Sequence, residues 1–346
     1  MTTRYDADLG ELRALLSDEP GYRVDQVWDG LYRRQVGPEE MTELPKALRA
    51  RLVEALPAAL ELSVERVSDD GETLKQLWRL RDGRAIESVL MRYRDRVTVC
   101  VSTQAGCAMG CGFCATGQAG FDRHLTTGEI VEQVIRASRR LAADDGGRVS
   151  NVVFMGMGEP LANYDNVWPA IERLQADVGI SARHLTVSTI GIVPGIRRLA
   201  TERLPVNLAV SLHAANDQLR NELVPINRRY PLTALRDACR EYLAAKNRRL
   251  SFEWALIDGV NDRARDAEEL ADFARPLRGH VNLIPLNATP GWPTRGTTPQ
   301  GVRSFRDRLA DLGVNVTVRR NRGTDIDAAC GQLRASADVA ITAPRP

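Results

Sequence analysis

The sequence predicts an α/β fold: a partial (β/α)6 TIM-like barrel with a small N-terminal helical accessory domain and a β-hairpin extension. Three observations carry this. From Val97 onward, strand-like apolar runs at 97–102, 151–155, 184–189, 206–212, 250–257 and 280–286 alternate with helix-like stretches near 127–143, 164–176, 231–245 and 264–276. Such alternation argues for a parallel sheet with helices outside it. Before Val97, Leu9, Leu12, Leu15 and Leu16, then Leu48, Leu52, Ala55 and Leu56, follow helical spacing, so residues 8 to about 62 read as amphipathic helix, with Pro45 suited to a helix start. Between these regions, 73–80 and 84–93 flank Arg81-Asp82-Gly83, and Asp-Gly between β-like runs signals a hairpin. The resulting division is an accessory domain at 1–64, a hairpin region at 65–96, a core at 97–335 and a flexible tail at 336–346.

Composition narrows the function classes. With 346 residues and 43% hydrophobic content the chain can bury a substantial core, and 27% charged residues argues against wholesale disorder. The net charge of +2 excludes a polycation, so nucleic-acid contacts must come from local patches. Candidates are Arg92, Arg94 and Arg96; Arg228 and Arg229; Lys246 with Arg248 and Arg249; and Arg319 and Arg320 with Arg322. No apolar run reaches the ~20 residues of a membrane span, and Met1-Thr2-Thr3-Arg4-Tyr5-Asp6 lacks a signal-peptide profile. The expectation is a cytoplasmic protein in a reducing compartment, so the six cysteines should be ligands, nucleophiles or core residues and not a disulfide framework.

Cys107, Cys111 and Cys114 form a C-x3-C-x2-C run directly after the first barrel strand, where chemistry sits in such folds. Three thiolates are one short of an ordinary cluster or structural zinc site. A [4Fe–4S] cluster held this way keeps one iron open, which suits chelation of S-adenosylmethionine (SAM) through its amino and carboxylate groups. Zinc with His124 or another cysteine as fourth ligand is the competing reading, and a chance grouping in a buried loop the third. Phe113 favours the cluster by shielding it from water. Further polar groups follow predicted strands: Gly158 and Glu159 in Met155-Gly156-Met157-Gly158-Glu159-Pro160, Ser188, the run Ser211-Leu212-His213, and Asn287. Each alone is an ordinary turn residue. Together on one rim they suggest a ligand pocket, with Glu159 and backbone carbonyls suited to an amine.

The cysteine run continued by Ala115-Thr116-Gly117, the Met155–Leu161 run, Ser211-Leu212-His213 and the late Ala329-Cys330-Gly331-Gln332-Leu333 together resemble the RlmN/Cfr family of radical SAM RNA methyltransferases, over nearly the whole chain. The resemblance implies a radical SAM barrel, one [4Fe–4S] cluster on Cys107, Cys111 and Cys114, and two equivalents of SAM per turnover, bound by Gly158, Glu159, Ser188, Ser211, Leu212, His213 and Asn287. The first SAM methylates the cysteine matching Cys330. The second yields a 5′-deoxyadenosyl radical that takes hydrogen from that methyl, and the methylene radical adds to adenine. Cys100 matches the thiol that resolves the protein–RNA adduct through a transient disulfide, and Glu87 a position assigned as proton acceptor, although Cys100 could take the same proton.

The implied partners are 23S rRNA and tRNA, a flavodoxin- or ferredoxin-like electron donor and no membrane; a monomer is expected. The implied product is 2-methyladenosine, with Cfr-like methylation at carbon 8 and a non-catalytic zinc-stabilised RNA-binding protein as alternatives. The accessory domain and arginine clusters are the natural RNA contacts. Cys239, in a helix-like run, reads as core, and His124 stands where many members have Asn and receives no chemical role.

Overall fold

A computed structural model describes residues 2–144, 147–287, 289, 292–293, 295–319, 322–329, 331–333 and 335. Three helices open the chain: α1 (Leu9–Leu15), α2 (Tyr22–Tyr32) and α3 (Lys46–Ala55). A capping box starts α1: the Asp8 carboxylate accepts from Glu11 N at 2.8 Å and the Glu11 carboxylate from Asp8 N at 2.9 Å. Antiparallel strands β1 (Leu60–Ser68), β2 (Thr73–Leu80) and β3 (Ala85–Arg92) follow.

Helix therefore stops earlier than its periodicity suggests, because β1 begins at Leu60. As the sheet's edge strand, β1 exposes residues on both faces, Leu62 and Val67 among them, and so carries no clean alternation to read.

The barrel strands are β4 (Val97–Cys100), then, after the small hairpin β5 (Gln104–Gly106) and β6 (Phe121–His124) that brackets α4 (Ala115–Ala119), β7 (Asn151–Phe154), β8 (Leu185–Thr189), β9 (Asn207–Ser211), β10 (Leu250–Leu256), β11 (His280–Pro285) and the short β12 (Val316–Val318). Helices α5 (Thr127–Asp144), α6 (Tyr164–Ala176), α7 (Val193–Thr201), α8 (Asp217–Leu223), α9 (Leu232–Lys246), α10 (Ala264–Ala274) and α11 (Pro299–Asp311) fall between them. Among the described residues one sheet runs β1-β2-β3-β4-β7-β8-β9-β10-β11-β12, parallel from β4 onward. The hairpin extension is thus continuous with the barrel sheet through the antiparallel β3–β4 pair. The six expected strands are present; α7, α8, α11 and β12 add to the expectation.

The core lies between the sheet and the outer helices. Every residue of β10 is buried, and α5 turns Ile130, Val131, Val134, Ile135 and Leu141 inward. The N-terminal helices share this core. They are also pinned to α5 and α6: Arg173 donates to the carbonyls of Tyr5 and Asp6, Gly128 N donates to Asp6 Oδ1 at 2.6 Å, and Ala59 N to Glu132 Oε2 at 2.7 Å. Among the described residues no helix is long and apolar enough to cross a membrane.

Candidate active site

The C-terminal ends of the parallel strands converge on one cavity. Cys100 ends β4; the turn from Met155 to Pro160 follows β7; Ser188, Ser211 and Glu253 come from β8, β9 and β10; Asn287 follows β11. Cys107, Cys111 and Cys114 line the same cavity, as do Gly158, Glu159 and His213. Ala329 and Gly331, the neighbours of Cys330, line it too. Cys330 itself lies outside the described residues, as do Arg320 and the tail from 336.

Local sequence explains the cysteine loop. Gly106 has φ +75°, and a Cβ there would sit 2.1 Å from Gly120 O, so the strand can turn into the loop only with glycine. Cys107 N then donates to Gly120 O at 2.6 Å and Cys114 N to Cys111 O at 3.1 Å. Around the thiols stands a second apolar cluster of Phe113, Ile190, Ala214, Leu223, Val224 and Ile257. Burial pushes the Cys107 thiol up to about 11 and Cys111 higher still. Such thiols become thiolates when a cationic centre compensates. Among the described residues no three His, Cys, Asp or Glu side chains converge tightly enough for one metal ion. A cubane cluster takes one cysteine per iron and needs no such convergence. The donor set therefore fits the cluster.

The turn after β7 is tightly supported. Gly158 has φ +100° and lies where a Cβ would be 2.5 Å from Gln104 Cβ. Gln104 Oε1 accepts from Glu159 N at 2.8 Å, and Gln104 Nε2 pairs with His124 Nδ1 at 3.0 Å. His124 thus supports this turn through Gln104. Glu159 is buried, and its two oxygens accept from Leu161 N at 3.0 Å and Ile190 N at 2.8 Å, joining the β7 and β8 turns. Burial raises its carboxyl to about 7 against those hydrogen bonds. A nearby ammonium would favour the ionised form.

His213 adopts φ +59° and is pushed down to about 3 by burial and then by Arg220, so its ring is neutral. Its Nδ1 accepts from Ala255 N at 3.0 Å, which leaves the proton on Nε2. Phe113 stands edge-on to this ring at 4.7 Å between centroids. Leu212 is set apart from the other SAM-site residues: its side chain is wholly buried in the main core. Glu87 does not line the cavity; it is buried on β3 with its carboxylate 3.0 Å from Lys75 Nζ. Of the arginine clusters, Arg319 and Arg322 reach the cavity wall. Cys239 is fully buried in α9, and burial pushes its thiol up to about 12.

Sequence reasoning missed Arg220 and Lys75. Arg220 is 0% exposed and donates to Leu212 O at 3.0 Å, Ile190 O at 2.6 Å and Asn227 Oδ1 at 2.7 Å, tying the ends of β8 and β9 together. An arginine in an ordinary α8 helix gave no sign of this. Lys75 sits in a strand that otherwise reads as half-polar, so nothing in the pattern singled it out.

Comparison with known proteins gives the family. Residues 101–274 match the model of the Radical SAM superfamily. A Frankia casuarinae protein named "Probable dual-specificity RNA methyltransferase RlmN" is 55% identical over 329 residues, 92% of this chain and 78% of that protein. A Chloroflexus aurantiacus protein of the same name is 51% identical over 346 residues, 95% of this chain and 92% of its own. The crystal structure of a radical SAM methyltransferase from Sphaerobacter thermophilus superposes with a TM-score of 0.94 at 50% identity, covering 97% of this chain and all of that one. The chain accordingly belongs to the RlmN family of radical SAM RNA methyltransferases, enzymes whose superfamily chemistry uses a [4Fe–4S] cluster and SAM.

Proposed function

We propose that the chain methylates carbon 2 of a specific adenosine in 23S rRNA and of the adenosine 3′ of the tRNA anticodon. The observation that carries this reading is the shared cavity: Cys100, the cysteine triplet and the residues on either side of Cys330 line one space. In this reading Cys107, Cys111 and Cys114 hold one cluster, and Gly158, Glu159, Ser188, Ser211, His213 and Asn287 surround SAM, with Leu212 behind them. When bound, cluster and SAM supply one-electron cleavage of SAM, and so hydrogen abstraction from an unactivated methyl group.

The chain's own residues do the rest. Cys330 takes a methyl group by displacement and carries it as a thioether. Its methyl gives up one hydrogen atom, the methylene becomes bonded to the base carbon, the radical adduct gives up one electron, which the oxidised cluster would accept when bound, and Glu87 takes the proton lost from that carbon. The Cys100 thiolate then attacks the Cys330 sulfur. The S–CH2 bond breaks, its electron pair stays with the carbon, and protonation there completes the methyl group. Two electrons from external thiols reduce the resulting disulfide. A flavodoxin- or ferredoxin-like donor feeds the cluster, and the protein works as a cytoplasmic monomer. The accessory helices with Arg319 and Arg322 present RNA to the cavity, and the regions 1–64 and 65–96 serve that contact while sharing one core with the barrel.

The test is anaerobic reconstitution with iron and sulfide, followed by SAM, reductant and RNA fragments. A brown protein with about four irons that yields 2-methyladenosine by mass spectrometry supports the reading. An 8-methyl product replaces it with the Cfr-like reaction, and a colourless zinc protein without activity removes the radical mechanism.

A further inference from the structure

One buried ion pair faces the C-terminal segment. In the sheet register Lys75 of β2 lies opposite Val89 of β3, and Val89 lies opposite Cys100 of β4. Directly paired residues present their side chains to the same side, and Glu87, two residues before Val89, shares that side. Lys75 Nζ is 3.0 Å from Glu87 Oε1 and also donates to Asp327 O at 3.1 Å. The two side chains are only 10% and 4% exposed.

Burying an ammonium and a carboxylate is unfavourable in itself, and an apolar pair would serve the hairpin better. What the pair provides is a link. It joins a carboxylate on the Cys100 side of the sheet to a carbonyl three positions before Cys330. The segment has other anchors on both sides. Gly323 N donates to Asp69 Oδ2 at 3.0 Å, and Arg322 donates to Arg92 O at 2.8 Å and pairs with Glu72 at 2.9 Å. Beyond Cys330, Gly331 O accepts from Ala115 N at 2.8 Å, and Leu333 O accepts from Thr116 Oγ1. Removing Lys75 therefore leaves the segment attached while taking one ion-pair partner from Glu87.

We infer that Lys75 is a positioning residue that fixes the Glu87 carboxylate against the Cys330-bearing segment for removal of the base-carbon proton. This rests on the proposed function. In the step concerned, the C–H bond of the adducted base carbon breaks. Because Glu87 is set back from the cavity wall, the proton passes to its carboxylate through one water, and the electron pair stays in the base. The one electron that the adduct must also lose would pass to the oxidised [4Fe–4S] cluster when it is bound, and neither residue carries it.

The test uses reconstituted wild type, K75M, K75R, E87Q and the K75M/E87Q double variant. Three readouts are taken: iron content, methyl on Cys330 by peptide mass, and the lifetime of the covalent protein–RNA adduct on a denaturing gel. K75M is expected to keep iron and methyl-cysteine within about twofold while adduct decay slows at least about tenfold, a fraction of the 10²–10⁴ a general base contributes. K75R is expected to restore decay to within about threefold of wild type, and K75M to add nothing in the E87Q background. Adduct decay at the wild-type rate in K75M overturns the inference. So does a K75M effect as large with E87Q as without it, since Lys75 would then act independently of Glu87. Should K75M fail to fold, K75Q, which keeps a donor near Asp327 and removes the charge, takes its place under the same criteria. A wild-type enzyme that forms neither methyl-cysteine nor adduct contradicts the catalytic reading itself, and needs no variant to see.

Discussion

Arg220→Met tests how the strand ends are held. The guanidinium is fully buried, has no carboxylate bonded to it among the described residues, and donates to Leu212 O, Ile190 O and Asn227 Oδ1, with Ser211 O at a longer 3.4 Å. Methionine fills similar space but donates nothing. Three short bonds from a charged donor are worth roughly 6 kcal/mol together. Against this, burial pushes the Arg220 guanidinium down to about 10 from 12.5, a penalty of about 3 kcal/mol that the substitution relieves. The expected net loss is about 3 kcal/mol of unfolding free energy. Urea denaturation of the cluster-free protein measures it, and equilibrium dialysis with SAM reports the cavity, because Ile190 and Ser211 line it. Arg220→Lys keeps the charge without the planar fork and should fall between the two. An Arg220→Met protein with an unchanged urea midpoint and unchanged SAM affinity would refute the claim that this side chain ties β8 to β9.

Further outcomes follow from single residues. Gly158→Ala forces a Cβ to 2.5 Å from Gln104 at φ +100° and should cost about 3 kcal/mol with a matching loss of SAM binding; an unchanged melting curve would show that the turn relaxes freely. Glu159 has its folded carboxyl raised to about 7 from 4.5, so its contribution to stability is full below about 4.5 and is lost as pH rises through about 7. The stability difference between wild type and Glu159→Gln should accordingly change by about 3 kcal/mol between pH 4.5 and 8 in urea titrations; a constant difference would contradict it. Cys239→Ala removes a fully buried thiol from α9 and should cost about 1 kcal/mol while product formation is unchanged; loss of turnover in a folded Cys239→Ala enzyme would give that residue a role.

Much of the molecule could be read from the chain because barrel strands buried on both faces are written as apolar runs. Leu185–Thr189 and Leu250–Leu256 fall within a residue or so of their expected limits for that reason. Strand β1 was hidden because both its faces meet solvent. The cavity was legible where chemistry depends on spacing, as in the cysteine run, or on strand ends, as for Ser188, Ser211 and Asn287. What could not be read depends on tertiary placement. Gln104 connects His124 to the Glu159 turn across two loops. Lys75 meets Asp327 across 252 residues of chain, and no local pattern encodes such a contact.

In the proposed mechanism the methyl carbon reaches RNA through a protein cysteine. Methyl-deuterated SAM tests it most directly, with the product nucleoside analysed by mass spectrometry after single turnover of enzyme whose Cys330 carries the label. One deuterium is lost to the abstracting radical and one solvent hydrogen completes the group, so the proposed mechanism yields 2-methyladenosine containing two deuterium atoms. A product retaining all three, with the methyl passed intact from SAM to RNA, would contradict it.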